Sequence, residues 1–186
     1  MRIVGGRFKG RALKGPPAES RAIRPTSDRL REAVFNVLAH AYDDPVTDAR
    51  VLDLFAGTGA LALEAMSRGA RFALFVDDGA EARACLRENV EAFGLGGQTK
   101  IFRRDATALG PAIAQGPFDL VFADPPYGKE LGQRALTSAR DGGWLKPGAL
   151  VVWEESAEAE ASAPEGFETL EVRAYGDTQV SILRAA

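Results

Sequence analysis

From residue 50 onward, short apolar runs alternate with longer stretches in which apolar residues recur at helical spacing. This alternation predicts β–α units, whose right-handed crossovers build a mostly parallel sheet with helices on both faces. The predicted strands are 51–55, 73–76, 120–122 and 150–153, with a weaker one at 101–102. The predicted helices between them are 59–68, 79–93 and 129–140.

The end of the chain has a different pattern, with two extended runs at 169–174 and 179–184. Gly176 and Asp177 separate them and are turn-forming residues. This arrangement predicts an antiparallel hairpin at one edge of the sheet. Together with the five runs above, it gives a sheet of seven strands.

The first 45 residues precede this alternating pattern. Apolar residues at helical spacing predict an amphipathic helix at 27–41 with a basic opposite side, capped by Thr26 or Ser27. Before it, alternation on either side of Gly5 and Gly6 predicts a short hairpin. We therefore expect a short N-terminal extension, 1–45, followed by an α/β domain, 46–186.

A glycine-containing turn, Asp53 to Gly59, follows the first predicted strand and opens a helix. Gly57 and Gly59 allow a ligand to approach the backbone closely, because a Cβ would clash there. With Ala62 they also match the dinucleotide fingerprint Gly-x-Gly-x-x-Ala. A carboxylate at Asp53 opposes a pyrophosphate but suits a cation, so S-adenosylmethionine fits this turn better than NAD does.

Two further acids end neighbouring strands. Asp77 closes the second strand, 18 residues after Gly59, and Asp105 ends the third strand candidate. Ligands of open α/β sheets bind outside the carboxyl ends of the strands, where these side chains converge. Carboxylates accept hydrogen bonds from ribose hydroxyls, so the pair predicts a nucleoside-binding site.

A rigid turn, Asp124-Pro125-Pro126-Tyr127, follows the buried strand that ends at Ala123. Proline fixes φ and has no N–H, so the turn holds Asp124 and Tyr127 in set places. Asp124 and the neighbouring carbonyls can accept hydrogen bonds from an exocyclic amino group. Tyr127 offers a flat face on which a flipped-out base can stack. The turn therefore predicts transfer chemistry at a planar amine.

Composition limits the class of protein. The chain has 186 residues, 46% of them hydrophobic and 26% charged, as expected for one globular domain. It has one cysteine, Cys85, and one histidine, His40, which predicts neither a disulfide framework nor a metal site. Because there is no long apolar run, we expect a cytoplasmic protein that does not enter membranes.

The net charge of -3 hides an uneven distribution. Residues 1–31 hold nine basic side chains and two acidic ones, a charge of +7, so the remainder carries -10. This asymmetry predicts an acidic partner for the extension. By contrast, 154–171 has seven acids and no Lys or Arg, which predicts a solvated surface segment. The cations expected to contact phosphates are Arg2, Arg7, Lys9, Arg11, Lys14 and Arg24.

The turn at Asp53–Gly59 resembles motif I of class I S-adenosylmethionine-dependent methyltransferases, which have a Rossmann-like fold. The turn at Asp124–Tyr127 is similar to the motif of those that methylate amino groups. More narrowly, the start Met1 to Arg11, then Arg24-Pro25-Thr26, Asp28-Arg29 and Ala33-x-Phe35-Asn36, resembles the RsmD family. The ending Tyr175 to Thr178 is also similar. That family methylates guanine N2 in bacterial 16S ribosomal RNA, and the likeness covers essentially the whole chain.

The resemblance implies a role for each motif. Asp124, Pro125, Pro126 and Tyr127 would receive the guanine, and no metal would take part. Residues 1–45 would bind RNA. The substrate would be 16S ribosomal RNA within a small-subunit assembly particle, and the protein would act as a monomer. The S-adenosylmethionine site would consist of Asp53, Phe55, Ala56, Gly57, Thr58, Gly59, Asp77, Asp78, Asp105 and Ala106. The family often has Glu where Asp77 and Asp78 stand, so either carboxylate could hold the ribose, and 24–26 could contact RNA or the cofactor.

The residues alone leave other functions open. The Pro-Pro-Tyr turn also serves adenine N6 in DNA or RNA and protein amides, so methyl transfer to those nitrogens is an alternative. A non-catalytic RNA-binding module, or an NAD-binding oxidoreductase sharing the fold, is an alternative from a different class.

Overall fold

Both predicted patterns, the β–α alternation and the terminal hairpin, are present in a computed structural model that describes residues 1–16, 26–112 and 114–186. The helices are α1 (Asp28–Ala41), α2 (Ala60–Ser67), α3 (Ala80–Ala92) and α4 (Leu131–Asp141). The strands are β1 (Arg50–Leu54), β2 (Phe72–Val76), β3 (Thr99–Phe102), β4 (Phe118–Ala123), β5 (Leu145–Ser156), β6 (Phe167–Tyr175) and β7 (Thr178–Ala185). Short 3₁₀ helices occupy Gly96–Gln98 and Ala106–Ala108.

The seven strands form one sheet in the order β3-β2-β1-β4-β5-β7-β6. The first five are parallel, while β7 runs antiparallel to both β5 and β6. Asp53 in β1 lies beside Phe75 of β2 and Phe122 of β4, so the carboxyl ends of these three strands are adjacent. The predicted Rossmann-like fold with its C-terminal hairpin is confirmed, and the loops after β1, β2 and β4 share one edge.

Each face of the sheet buries its own core. Side chains of α1, α2 and α3 pack on one face, where Phe35 contacts Phe122 with ring centroids 5.6 Å apart. On the other face α4 packs with Trp144 and Trp153. Alternate residues of β4 serve the two cores, as expected for a strand buried on both sides. The amphipathic helix α1 is therefore part of the domain's core.

The first 16 residues do not form the predicted hairpin at Gly5 and Gly6. Only an isolated bridge pairs Arg2 with Ala12, and turns lie between them. The N–H groups of Val4 and Gly5 donate instead to the two carboxylate oxygens of Glu64 in α2, at 3.0 and 2.9 Å. These two N–H groups therefore donate to a side chain of α2 instead of to the backbone of a neighbouring strand.

Arg31 does not lie on an exposed basic side of α1, contrary to the sequence prediction. Its side chain is fully buried, and its Nε donates to Oε1 of Glu64 at 3.0 Å. Its Nη2 donates to the carbonyl of Arg2 and, at 2.8 Å, to Asp28. One of the nine cations of 1–31 is therefore structural.

The acidic segment at 154–171 is also only partly a solvated surface. Strand β5 continues to Ser156, and this places Glu154 and Glu155 in buried positions, 7% and 5% exposed. Residues 157–166 connect β5 to β6. The prediction was wrong for the first two acids because the strand extends beyond its apolar run.

We predict that Glu64→Gln destabilises the protein by at most about 3–5 kcal/mol, since it removes the buried carboxylate beside Arg31 and leaves that buried guanidinium its ion pair with the partly exposed Asp28. Arg31 is fully buried and Glu64 accepts its Nε–H. Urea denaturation at neutral pH, followed by circular dichroism, measures the change.

Glu88→Gln is the matched control, because Glu88 pairs with Lys14 at the surface, where both side chains are more than half exposed. Exposed ion pairs contribute little to the free energy of unfolding, so we expect almost no change in the urea midpoint of the Glu88→Gln variant. Equal effects of the two substitutions would contradict the structural role of Glu64.

Candidate functional site

A cavity of about 540 Å³ opens at the carboxyl ends of β1, β2 and β4. It brings together the glycine turn, the acids after β2 and the Asp-Pro-Pro-Tyr turn, which are separated by up to 74 positions in the chain. Its lining residues are Thr26, Asp53, Phe55, Ala56, Gly57, Thr58, Ala60, Leu61, Asp77, Asp78, Gly79, Ala80, Glu81, Ala82, Asp124, Pro125, Pro126 and Tyr127.

The last residue of the turn after β1, Gly59, has a backbone conformation that only glycine adopts readily. Gly59 has a φ of +81°, and a Cβ there would lie 2.3 Å from Leu86 Cδ1. The N–H of Gly59 donates to the carbonyl of Ala56 at 2.8 Å, and that of Ala56 to Val76 at 3.0 Å. These bonds close the turn against β2 and present its backbone to the cavity. Gly59 itself caps α2 behind the lining residues.

Asp77 holds the glycine turn in place. Its Oδ2 accepts from the N–H of Gly57 at 2.9 Å, and its Oδ1 accepts from Gly79 at 2.9 Å. The neighbouring Asp78 is exposed and also lines the cavity. Asp77 therefore shapes the turn, whereas Asp78 makes none of these bonds to the turn and is exposed at the cavity.

The carboxyl group of Asp53 lies beneath the cavity and is only 2% exposed. Burial raises its pKa well above the usual range, and the negative charges of Asp124 and Asp77 raise it further. One hydrogen bond, from the N–H of Ala62 at 3.3 Å, opposes that shift. The site thus brings several carboxyl groups together, and a positively charged ligand would favour the ionised form of Asp53.

The Asp-Pro-Pro-Tyr turn is held from both ends of the chain. Thr26 Oγ1 donates to Oδ2 of Asp124 at 3.2 Å. The hydroxyl of Tyr127 and that of Thr178, at the start of β7, are 3.2 Å apart and hydrogen-bonded. The extension and the C-terminal hairpin therefore each fix one polar residue of this turn.

Asp105 and Ala106 are not among the residues that line this cavity. Asp105 caps the 3₁₀ helix Ala106–Ala108: hydrogen bonds from the hydroxyl and the N–H of Thr107, at 2.7 and 2.8 Å, hold its pKa below the usual range. Ala106 is buried in the core. A second, more open groove of about 660 Å³ lies between Thr107 and α4 and contains none of the predicted site residues.

Three side chains with structural roles at the site were not identified from the sequence. The sequence predicts Thr26 as a helix cap or as a contact to RNA or cofactor, but not as a donor to Asp124; Ser27 caps α1 and accepts from Leu30 at 3.1 Å. Thr178 appeared only as part of a family-like ending. Asn89 gave no signal, yet its buried amide donates to Thr58 of the glycine turn at 2.9 Å and to Lys14 at 3.0 Å.

The predicted RNA-contacting cations of residues 1–14 are exposed. Arg7 and Arg11 lie over the ring of Phe8, at 4.5 and 5.3 Å from its centroid, and Arg11 also lies over Phe93. Arg24 lies outside the described residues. The five exposed cations are Arg2, Arg7, Lys9, Arg11 and Lys14.

Within the described residues, no three His, Cys, Asp or Glu side chains are grouped so that they could hold a metal ion. In the described part of the chain, no helix has the length and hydrophobicity needed to cross a membrane.

The sequence and the fold are similar to those of known proteins. The family model described as Conserved hypothetical protein 95 matches residues 1–184. Ribosomal RNA small subunit methyltransferase D of Escherichia coli (strain K12) is 36% identical over 159 residues, or 85% of this chain and 76% of that protein. The protein of the same description from Haemophilus influenzae is 31% identical over 178 residues, 95% and 89% of the two chains. The solved structure of yhhF from Escherichia coli superposes with a TM-score of 0.82 at 30% identity, covering 100% of this chain and 97% of that one.

The buried acid predicts a pH dependence of stability. Because the folded-state pKa of Asp53 is raised, the folded protein binds more protons than the unfolded chain, and stability falls as pH rises above the ordinary Asp range. Asp53→Asn removes this dependence. We therefore expect the variant to gain stability relative to the wild type between pH 4 and 8, measured by urea denaturation at several pH values.

Asp105→Asn is the control with the opposite sign. The folded-state pKa of Asp105 is lowered, so its carboxylate stabilises the fold above the unfolded pKa and this contribution disappears in acid. Asparagine can still cap the 3₁₀ helix. The variant should lose stability at pH 7 but not at pH 3; parallel pH curves for Asp53→Asn and the wild type would refute the role given to Asp53.

Proposed function

The chain belongs to the ribosomal RNA small subunit methyltransferase D family, whose model is described as Conserved hypothetical protein 95, and we propose that it methylates the exocyclic N2 amine of a guanine in bacterial 16S ribosomal RNA. The observation that carries this proposal is the meeting of the glycine turn and the Asp-Pro-Pro-Tyr turn in one cavity. The family assignment favours methyl transfer over the NAD-dependent alternative.

The residues around the cavity fit S-adenosylmethionine. Its positive charge suits the buried carboxyl of Asp53, which lies close to the charges of Asp77 and Asp124. The backbone at Gly57 can approach the methionine part, and Asp78 can accept hydrogen bonds from ribose hydroxyls. When bound, this cofactor supplies a methyl group on a positively charged sulfur.

Asp124 and the carbonyls of Pro125 and Pro126 act on the attacking amine. The lone pair of guanine N2 is delocalised into the ring, so the amine is a poor nucleophile. When these oxygens accept hydrogen bonds from the N–H groups of the amine, the nitrogen becomes more electron-rich and the positive charge that develops on it is stabilised. The proton that the nitrogen would lose on taking up the methyl group would pass to water.

Tyr127 provides the stacking surface for the base. Its ring is half-buried and lines the cavity, while its hydroxyl is held by Thr178. A base flipped out of its RNA strand can stack on such a ring, with a contribution of about 1–3 kcal/mol. This fixes the plane of the guanine relative to Asp124.

The N-terminal extension supplies the surface for RNA. Its exposed cations can neutralise phosphates, whereas the net charge of the rest of the chain is negative. The assignment of residues 1–45 to RNA binding and 46–186 to catalysis belongs to this proposal. So do a substrate within a small-subunit assembly particle, a monomeric enzyme and a cytoplasmic location.

Transfer of a labelled methyl group to naked 16S RNA and to small-subunit particles lacking the modification, followed by nucleoside identification, tests the reaction. We expect N2-methylguanosine as the product. Labelled N6-methyladenosine, or label only in protein, would replace the proposal by one of the alternatives.

Asp124→Ala should lower turnover by about 100-fold or more, since it removes a group that stabilises charge in the transition state. The affinity for S-adenosylmethionine, measured by calorimetry, should change little. Asp141→Ala, an exposed acid at the end of α4, is the control and should retain turnover. Full activity of Asp124→Ala would refute the role of this carboxylate.

Neutralising Arg7, Lys9 and Arg11 together with Gln should weaken RNA binding and spare cofactor binding. If all three contact phosphates, the slope of log affinity against log salt should become less steep by about 2 for single-stranded RNA. Filter binding or fluorescence anisotropy over a salt series measures this slope.

The control replaces three exposed cations outside the extension, Arg71, Lys100 and Arg184, with Gln. Both triple variants lose the same net charge, so a general effect of charge would weaken binding equally. We expect the salt slope of the control to stay close to that of the wild type. Identical slopes for all three proteins would exclude the extension as the phosphate-binding surface.

A further inference from the structure

We infer that Thr26 is a positioning residue that fixes the carboxylate of Asp124 through a hydrogen bond which the Asp-Pro-Pro-Tyr turn cannot provide itself. The inference rests on the proposed role of Asp124 as acceptor for the substrate amine. Thr26 Oγ1 lies 3.2 Å from Asp124 Oδ2, and Thr26 is 8% exposed and lines the cavity.

Three acids follow strands at this edge of the sheet, and they differ in where their hydrogen-bond donors come from. Asp77 accepts from the N–H of Gly79, and Asp105 accepts from the N–H of Thr107, each two positions further along the chain. This is the usual Asx turn. The residue two positions after Asp124 is Pro126, which has no N–H, and neither has Pro125.

The hydroxyl of Thr26 supplies a donor that replaces this missing local one. It comes from 98 positions away, so the bond depends on the fold rather than on the local chain. The two prolines make the turn rigid but remove the backbone donors that would orient its acid. A donor from another element restores the orientation without loosening the turn.

Thr26 is itself held firmly. Its carbonyl accepts from Nη1 of Arg31 at 3.4 Å, and the Nε of that arginine donates to the buried Glu64. The next residue, Ser27, caps α1. The hydroxyl is therefore placed by the start of a packed helix and by a buried ion pair.

The charges around Asp124 explain why such a donor matters. Asp53 lies close enough to Asp124 and to Asp77 for their negative charges to raise its pKa, and Asp78 and Glu81 line the same cavity. Tyr127 is the other titratable side chain of the lining. A hydrogen bond from Thr26 to the ionised form of Asp124 favours that form.

Thr26→Val removes the hydroxyl with little change of volume, and Thr26→Ser retains it. We expect Val to lower kcat for methyl transfer by about 10- to 100-fold, as for loss of a hydrogen bond to a charged group. Ser should restore most of the activity. With Val, the acidic limb of the kcat–pH profile should move to higher pH.

A second readout does not depend on activity. Carbon-13 NMR of Asp carboxyl groups in the protein without cofactor follows the titration of Asp124, assigned by the signal missing from Asp124→Asn. The pKa of Asp124 should be higher in Thr26→Val than in the wild type and in Thr26→Ser. Urea denaturation of each variant verifies that the chain is folded under these conditions.

Two controls separate positioning from a general effect. Thr47→Val removes another threonine hydroxyl that donates to an aspartate, Asp44, in an exposed contact before β1, and it should leave kcat unchanged. In the Asp124→Asn background, Thr26→Val should add much less loss than it causes alone, because the two residues act through one bond.

The outcomes distinguish this inference from the proposed function. Wild-type kcat, pH profile and Asp124 titration in folded Thr26→Val would overturn the inference. Additive losses in the double variant would overturn it as well. Absence of methyl transfer to RNA by the wild type would overturn the proposed function, while the NMR titration would still decide whether Thr26 acts on Asp124.

Discussion

The arrangement of the site depends on the carboxylate of Glu64, which is fully buried in α2. It accepts hydrogen bonds from Val4, Gly5, Arg31 and Arg68, at 2.9 to 3.0 Å. These donors come from the first turn of the chain, from α1 and from α2 itself. A buried ion pair contributes little net stability over apolar residues of the same volume, but it tolerates few alternative geometries. Here it fixes the extension and α1 against the helix that follows the glycine turn.

Two routes lead from this contact to the cavity. Along α2, the chain returns to Gly59 and the turn whose backbone lies against β2. The second route runs through Arg31, which donates to the carbonyl of Thr26, and the hydroxyl of Thr26 in turn donates to the carboxylate of Asp124. The extension therefore combines exposed cations on its surface with structural contacts at the site. The N-terminal residues and the cavity are consequently held together by one set of buried contacts.

Features set by neighbouring residues could be predicted from the sequence. The strands, the helices and the glycine turn follow from local periodicity and from glycine's access to positive φ, and they fix the adjacency of Asp53, Asp77 and Asp124. Features set by distant residues could not be predicted. The burial of Arg31 requires a partner 33 positions away, and the failure of the hairpin at Gly5 and Gly6 requires a partner about 60 positions away. Helical spacing placed Arg31 on the exposed basic side of its helix, and only the fold shows that this charge is paired inside.

The donors of the three strand-end acids show how the extension is tied to the Asp-Pro-Pro-Tyr turn. A polar turn built from ordinary residues orients its own acid through the next backbone N–H groups, as at Asp77 and Asp105. A turn with two prolines gains rigidity but loses the backbone N–H groups of those two positions. A donor to its acid then comes from another element, and Thr26, just before α1, is one such donor. The rigidity of the turn and the packing of the extension are thus two parts of one structural solution.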